Sequence, residues 1–177
     1  MPEGIELISL GSLGQVEELE ETSDTLEGNA RQKAVFVFEK YGLPCFADDT
    51  GLEIDVINGA PGVYSARYAG EEKNADANMD KVLSELEGQE NRNAQFRTSI
   101  CLVISGKEHY FDGVVKGRML TQRLGLKGFG YDPIFAPENE SRSFAEMSSE
   151  EKNSMSHRGR AIRALVAFLE GLGVEEQ

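Results

Sequence analysis

Two neighbouring aspartates, Asp48 and Asp49, follow directly on an apolar run and are the first candidates for chemistry. Neighbouring residues of an extended segment point to opposite sides, so one carboxylate can face a site while the other anchors the loop. Thr50 and Gly51 then predict a tight turn, and loops that follow strands often carry ligand sites in α/β folds. A solvated turn is the alternative interpretation, because this composition is common in surface turns.

A lysine on the apolar side of a predicted helix is the second candidate. On a helical projection that starts at Leu26, Lys33 falls inside the apolar arc, and Asn29 lies on the same side one turn earlier. Together they predict a polar line that faces a cleft, where an ammonium group could hold a phosphate as a point charge. The alternative is a lysine whose amine extends past the apolar residues into water.

A group of glutamates precedes this helix and, together with Asp49, forms a candidate metal site. Mg²⁺ prefers one or two carboxylates combined with phosphate oxygens of a substrate. Acidic residues near a helix start also favour the helix dipole, so a purely structural role is the alternative. The glutamates are Glu17, Glu18, Glu20 and Glu21.

A glycine-rich block with aromatic residues, residues 128–133, is the candidate for binding a flat ring. Its glycine spacing does not complete a dinucleotide-binding fingerprint. Phe129 and Tyr131, with Asp132 close by, suit a platform for a base. Both aromatic residues are equally typical of an ordinary core, which stays open as the alternative.

The start of the last predicted helix carries His157 and Arg158, after the charged stretch 150–152. A lone histidine or arginine at such a position is usually solvated. A positioned arginine offers only hydrogen-bond donors, so it would favour a carbonyl over an exocyclic amine. Arg158 would then favour 6-oxo purines over adenine without rejecting guanine, which also carries a 6-oxo group.

Helix and strand patterns intermix along the chain, which predicts an α/β or mixed α+β fold. Asp24 and Glu27 are spaced as in a capping box at the start of the first helix, and Gly42 stands just past its end. The last two strands flank a short glycine-containing loop, residues 105–107, and predict a hairpin. Helices are predicted over residues 24–40, 75–86 and 157–172. Strands are predicted over residues 5–10, 44–47, 52–57, 96–104 and 108–116.

The composition predicts one domain, because the 177 residues contain neither an internal repeat nor a dividing linker. The net charge of −13 argues against a general nucleic-acid binder, although a local cation can still admit a small polyanion. Cys45 and Cys101 lie in apolar runs, as expected for buried free thiols. The sequence shows no signal peptide and no apolar stretch near the ~20 residues of a membrane span, which predicts a cytoplasmic location.

Five blocks, in this order, make the chain similar to the inosine triphosphate pyrophosphatase (Ham1-like) family. The resemblance extends from about Glu20 to the C-terminal helix, which is nearly the whole chain. Ser23 stands where the family usually has glycine. The blocks are residues 20–34, 47–52, 59–70, 128–133 and 156–159.

This resemblance implies Mg²⁺-dependent hydrolysis of a non-standard purine nucleoside triphosphate (ITP, dITP or XTP) to the monophosphate and pyrophosphate. It implies Asp49 as general base or metal-linked carboxylate, Glu20 as metal ligand with Glu21 as a further candidate, and Lys33 as a phosphate contact. The implied fold is an elongated mixed sheet whose helices form two lobes around a central nucleotide cleft, and the implied assembly is a homodimer. The implied nucleotide-binding residues are Thr50, Phe129, Gly130, Tyr131, Asp132, Lys152, His157 and Arg158.

Members of this family begin with a strand and a Ser/Thr-x-Asn-x-x-Lys loop that cradle the triphosphate, and this sequence lacks that segment. We therefore expect residues 1–177 to be an N-terminally shortened domain. A nucleotide-binding but catalytically impaired protein is one alternative. A different phosphatase, acting on nucleotides or sugar phosphates, is another. The identity of the product, pyrophosphate or free phosphate, separates this second alternative from the leading hypothesis.

Overall fold

The computed structural model describes residues 4–14 and 18–175, and its centre is a five-stranded sheet of order β2-β1-β3-β4-β5. Every strand pairing among these residues is antiparallel, which corrects the expectation of a mixed sheet. The strands are β1 (Cys45–Ile54), β2 (Pro61–Gly62), β3 (Asn93–Ile104), β4 (Lys107–Met119) and β5 (Phe135–Pro137). The helices are α1 (Leu26–Tyr41), α2 (Ala75–Glu85), α3 (Ser149–Met155) and α4 (His157–Glu175).

Helices cover both faces of the sheet. Cys101 of β3 packs with Ala30 and Ala34 of α1, whereas its neighbour Ile100 packs with Leu165 of α4. Neighbouring residues of a strand point to opposite faces, so α1 and α4 lie on opposite sides of the sheet. Both cysteines are free thiols, as the sequence predicts, but only Cys101 is buried, whereas Cys45 is half-buried.

A second apolar cluster lies on the α4 side, towards the other end of the strands. Leu52 and Phe96 of the sheet pack there with Met79 and Val82 of α2. Leu52 is paired with Phe96, and Phe96 shares a face with Ile100, so α2 and α4 cover the same face at different places. This arrangement leaves room for a cavity between α2 and the start of α4.

The two strands predicted over residues 44–47 and 52–57 form one continuous strand, β1. Its pairing with β3 is unbroken from Cys45 to Ile54, so residues 48–51 are extended and the predicted tight turn is wrong. Gly51 serves a different purpose from the expected one. A Cβ there would lie 2.6 Å from the carbonyl oxygen of Gly62, so glycine is what allows β2 to approach β1 closely.

The start of α1 also differs from the prediction. Thr25, not Asp24, is the N-cap, and its side chain accepts a hydrogen bond from a backbone N–H of the first turn. Glu27 does not complete a capping box but pairs with Arg97 of β3 at 2.5 Å. The end of the helix is as predicted, with Gly42 in the left-handed conformation at φ 67°.

The predicted strand over residues 5–10 is wrong, and one helix was missed. Residues 5–9 are irregular and lead into a 3₁₀ turn, Leu10–Leu13, whose hydrogen bonds are local, such as Ser12 N to Ser9 O at 3.1 Å. Helix α3 begins with the capping-box residues Ser148 and Glu151, and this spacing in the sequence is a signal for a helix start.

The remaining predicted elements are confirmed with small shifts of their ends. Helices α2 and α4 occur as predicted, and β3 and β4 form the predicted hairpin. Its turn residues, Ser105 and Gly106, both have positive φ, 51° and 71°, as in the type I′ turns that suit twisted strands. No helix within the described ranges is long and apolar enough to cross a membrane.

Candidate active site

A cavity of about 290 Å³ opens between α2 and the start of α4. Strand residues line one side of it, and the loop before β5 and the start of α4 line the others. Three segments that are far apart in the sequence therefore meet here. All eight residues predicted to bind the nucleotide line this cavity: Thr50, Phe129, Gly130, Tyr131, Asp132, Lys152, His157 and Arg158.

The carboxylate of Asp132 organises the loop beside the cavity. Its Oδ2 accepts hydrogen bonds from the backbone N–H of Phe129 at 2.8 Å and from Nζ of Lys152 at 2.5 Å. The Lys152 ammonium also lies 4.5 Å from the centre of the Phe129 ring. Phe129 itself is 69% exposed, so its ring is available to a ligand. Asp132 thus shapes the loop, and Phe129 fits the predicted platform.

Tyr131, in contrast, belongs to the core. Its ring is buried in the cluster under α2, and its hydroxyl donates to the carbonyl oxygen of Ser65 at 2.7 Å. Burial raises the pKa of this phenol. The core interpretation therefore applies to Tyr131, which closes one side of the cavity and ties the loop to the segment that follows β2.

His157 is a buried histidine with an unused nitrogen. Its ring stacks on Phe96 at 4.9 Å between centroids and 16° between planes. Burial lowers the pKa of His157 to about 4, and the charges of Arg158 and Lys152 act in the same direction, so the imidazole is neutral at pH 7. Its Nδ1 is buried and has no hydrogen-bond partner in the part of the chain that the structure describes.

Of the two neighbouring aspartates, Asp48 faces the cavity side of the sheet. Its Oδ2 accepts from Nε and Nη2 of Arg158 at 3.0 and 2.9 Å. Thr50, two residues on, lies on the same face, and its hydroxyl contacts that of Thr98 at 2.6 Å. Asp48 therefore holds the arginine that the sequence assigned to base recognition.

Asp49 lies on the opposite face of β1, beneath α1. Its Oδ2 accepts from Nδ2 of Asn29 at 3.0 Å, and its Oδ1 accepts from the backbone N–H of Thr50 at 2.9 Å. Burial raises the pKa of Asp49, and nearby Glu21 adds to this, while Asn29 and the charge of Lys33 oppose it. The net shift is upward, which is the direction that makes a carboxylate a better proton acceptor.

Lys33 lies beside this aspartate, within the apolar side of α1. Its Nζ is 2.5 Å from Oε1 of Glu21, and the two side chains are 15% and 32% exposed. The amine is therefore not simply extended into water, which was the alternative interpretation. Asp49, Glu21 and Lys33 form one small charged cluster, called the α1-face cluster below.

The other glutamates of the candidate metal site have different surroundings. Glu20 is exposed next to Glu21, and Glu18 pairs with Lys73. Glu17 lies outside the described residues. The described residues contain no group of three or more His, Cys, Asp or Glu side chains suited to a metal ion. A cation here would therefore be held by one or two carboxylates, the number that Mg²⁺ commonly uses.

The cavity and the α1-face cluster are separated only by the width of β1. On its outer edge β1 pairs with β2 at Leu52 and Glu53 alone. Among the described residues, no second strand covers this edge from Cys45 to Gly51. Leu7, Leu10 and Leu19 lie near residues 45–47 of β1, where they line a separate cavity.

Several cavity residues were not identified from the sequence. Lys73 lines the cavity in a left-handed conformation, φ 52°, and Asn78 lines it as a buried amide on α2. Asn78 could have been found as a polar residue on the apolar side of its helix. Ser65 lies within residues 59–70, and its hydroxyl accepts from the backbone N–H of Leu52 and donates to the carbonyl oxygen of Gly62.

Comparison with known proteins places the chain among close relatives. The dITP/XTP pyrophosphatase of Flavobacterium psychrophilum is 55% identical over 168 residues, covering 95% of this chain and 88% of the relative. The dITP/XTP pyrophosphatase of Bacillus subtilis (strain 168) is 46% identical over 172 residues, covering 96% and 87%.

Solved structures support the same relationship. The Ham1 protein of Staphylococcus aureus superposes with a TM-score of 0.89 at 41% identity, covering 93% of this chain and 86% of that one. A HAM1 protein from Coxiella burnetii gives a TM-score of 0.83 at 40% identity, with coverage of 87% and 81%. Residues 1–168 match the model of the Ham1 family. With this match and these relatives, the chain belongs to the Ham1 family.

Proposed function

We propose that this chain hydrolyses the non-standard purine nucleoside triphosphates ITP, dITP and XTP to the monophosphate and pyrophosphate. The observation that carries the proposal is the convergence of all eight nucleotide-binding candidates on one cavity, with the α1-face cluster across a single strand. Relatives that are 55% and 54% identical bear the name dITP/XTP pyrophosphatase, which supports the same substrates.

The nucleotide would lie across β1. Its base would occupy the cavity, between a lobe formed by α2 with the loop before β5 and a lobe formed by α4. Its phosphates would pass over the outer edge of β1 near Thr50 and reach Asp49 and Lys33. On this path the scissile phosphate would lie near Asp49, the half-buried aspartate of the α1-face cluster.

Arg158 supplies the preference for a 6-oxo purine. Guanidinium groups carry only donors, which match a carbonyl and repel the amine of adenine. Asp48 holds this arginine in place through two hydrogen bonds. Neutral His157 lines the cavity beside the base, and the exposed ring of Phe129 offers a stacking surface.

The chemical step needs a base and cations near the α-phosphorus. Asp49 takes a proton from the attacking water as the bond from the α-phosphorus to the bridging oxygen breaks and pyrophosphate leaves. The raised pKa of Asp49 makes this proton transfer more favourable than for an ordinary surface aspartate. Lys33 offsets charge on the phosphates as they approach the cluster.

The α1-face cluster fits Mg²⁺ by the chemistry of its donors. Asp49 and Glu21 present carboxylate oxygens, and the charge of Glu21 helps to raise the pKa of Asp49. Glu20 is exposed and precedes Glu21 in the chain. One or two of these carboxylates would hold the ion, which when bound would supply positive charge to the phosphates.

The test is a panel of nucleoside triphosphates assayed with Mg²⁺ for pyrophosphate and, separately, for phosphate. We expect pyrophosphate from dITP, ITP and XTP, and far less product from ATP. Phosphate as the product would indicate a different phosphatase. Binding of ITP in calorimetry without turnover would indicate a catalytically impaired binding protein. A homodimer and a cytoplasmic location are also predictions, and light scattering after gel filtration tests the first.

A further inference from the structure

Asn29 is a buried amide that the sequence places on a polar line with Lys33 and that has no role in the proposed mechanism. It lies on α1 with only 1% of its surface exposed. Its Oδ1 accepts from the backbone N–H of Ser23 at 2.8 Å, and its Nδ2 donates to Oδ2 of Asp49 at 3.0 Å. Buried polar groups must be satisfied, and here each end of the amide is satisfied by a different part of the site.

The segment before α1, residues 21–23, lies along the side of the helix that carries Asn29. The backbone N–H of Thr22 donates to Oε1 of Gln32 at 3.0 Å, and Glu21 pairs with Lys33. Gln32 and Lys33 follow Asn29 by three and four residues, so all three side chains share one helix face. Three consecutive residues of the segment are thus held by three side chains of α1.

Close packing fixes the register of this contact. A Cβ at Gly28 would lie 1.9 Å from Oγ of Ser23, so the segment touches the helix where glycine leaves space. On its other side the carbonyl oxygen of Glu21 accepts from Nη2 of Arg67 at 3.3 Å. The segment that carries Glu20 and Glu21 therefore cannot slide along α1 without breaking these contacts.

We propose that Asn29 is a positioning residue that holds the carboxylate of Asp49 and the segment of Glu20 and Glu21 in one fixed arrangement. The inference rests on the proposed function, because it takes Asp49 as the base and these glutamates as its neighbours at the phosphates. One lone pair on each oxygen of Asp49 is occupied, by Asn29 and by the N–H of Thr50, so the plane of the carboxylate is set.

A purely structural role for this amide would give a different result in a matched pair of variants. Asn29→Asp keeps the acceptor for the N–H of Ser23 but places an acceptor opposite Oδ2 of Asp49. Gln32→Glu makes the same change of amide to carboxylate on the same helix and keeps the acceptor for Thr22. It touches no atom of Asp49 in the described contacts.

We expect Asn29→Asp to lower kcat for dITP on the order of 10- to 100-fold with KM within about 3-fold, because small misplacement of a catalytic group has effects of that size. Gln32→Glu should keep kcat within about 3-fold. Thermal unfolding of both variants reports whether each is folded.

A double-mutant cycle covers the case in which Asn29→Asp does not fold. Asn29→Ala should lower kcat by a clearly larger factor in the wild-type background than in the Asp49→Asn background, because the part of its effect that passes through Asp49 is absent there. A readout without substrate is the NMR signal of the Asn29 side-chain amide, which should shift in Asp49→Asn and not in Gln32→Glu.

The outcomes distinguish this proposal from the proposed function. If the wild type releases no pyrophosphate from any nucleotide of the panel, the proposed function fails and the positioning role fails with it. If the wild type is active and Asn29→Asp behaves like Gln32→Glu, only the positioning role is overturned. Equal effects of Asn29→Ala in both backgrounds overturn it as well.

Discussion

The buried, neutral state of His157 predicts an acid-sensitive step in the stability of this protein. Burial lowers the pKa of His157 in the folded chain to about 4, against an ordinary value of 6.5. Between these two values the unfolded chain binds a proton that the folded chain does not. The corresponding stability is therefore fully present above about pH 6.5 and is lost as the pH falls towards 4.

The size of the effect follows from the same two values. One pKa unit corresponds to about 1.4 kcal/mol, so the whole step amounts to about 3 kcal/mol. Most of it falls within an accessible range, since linkage gives a loss of about 2 kcal/mol between pH 7 and pH 5. The free energy of unfolding of a typical domain is about 5–15 kcal/mol, so a loss of this size is a substantial part of it.

Urea unfolding at pH 7, 6 and 5 measures this step, with His157→Phe as the test variant. Phenylalanine keeps an aromatic ring against Phe96 but cannot take a proton, so the variant should lose about 2 kcal/mol less than the wild type between pH 7 and pH 5. Comparing the two proteins cancels the titration of the carboxylates that they share.

The control is His109→Gln, because the chain contains two histidines. The ring of His109 lies 4.5 Å from that of Phe168 on α4, away from the cavity. This variant leaves His157 in place, so it should keep the part of the wild-type pH dependence that comes from His157. If His157→Phe also keeps it, His157 is either solvated or charged in the folded protein, and the account of the cavity wall is refuted.

Further substitutions test the individual assignments. Asp49→Asn should lower kcat on the order of 10²-fold or more with an unchanged circular dichroism spectrum, and a near-normal rate removes it from the mechanism. Lys33→Met should abolish pyrophosphate release. It should change the free energy of unfolding by less than about 1 kcal/mol, because the ion-pair partner Glu21 is partly exposed. Surviving activity with lower stability would make the lysine structural. Arg158→Ala should reduce the kcat/KM preference for ITP over ATP, and an unchanged ratio places discrimination elsewhere. Tyr131→Phe should cost about 1 kcal/mol in urea unfolding and leave substrate preference as it is, because its hydroxyl only joins two loops; a changed preference contradicts the core assignment.

Features set by short-range periodicity could be predicted from the sequence. The apolar arc of α1 is buried as the helical projection indicates, with Asn29 beside it and Lys33 mostly covered. The hairpin turn at Ser105 and Gly106 also follows from local backbone preferences. These features depend on residues within a few positions of each other, so the pattern alone contains the information.

The course of β1 could not be predicted in the same way. Residues 48–51 resemble a turn, yet pairing with β3, about fifty residues later in the chain, keeps them extended. A strand depends on a distant partner for its hydrogen bonds, and local composition does not identify that partner. The strand predicted at residues 5–10 is wrong for a related reason. The hydrogen bonds described for this segment are local, and no strand within the described residues pairs with it.

The two aspartates show most clearly what the sequence determines and what only the tertiary structure determines. The sequence predicted that Asp48 and Asp49 would point to opposite sides wherever this segment is extended, because side chains alternate along any extended chain. Only the tertiary structure decided which side each one meets. Helix α1 brings Asn29 to Asp49, and the start of α4 brings Arg158 to Asp48. Those contacts join residues 20 and 110 positions apart, and only the packing of helices on the two faces of the sheet brings them together.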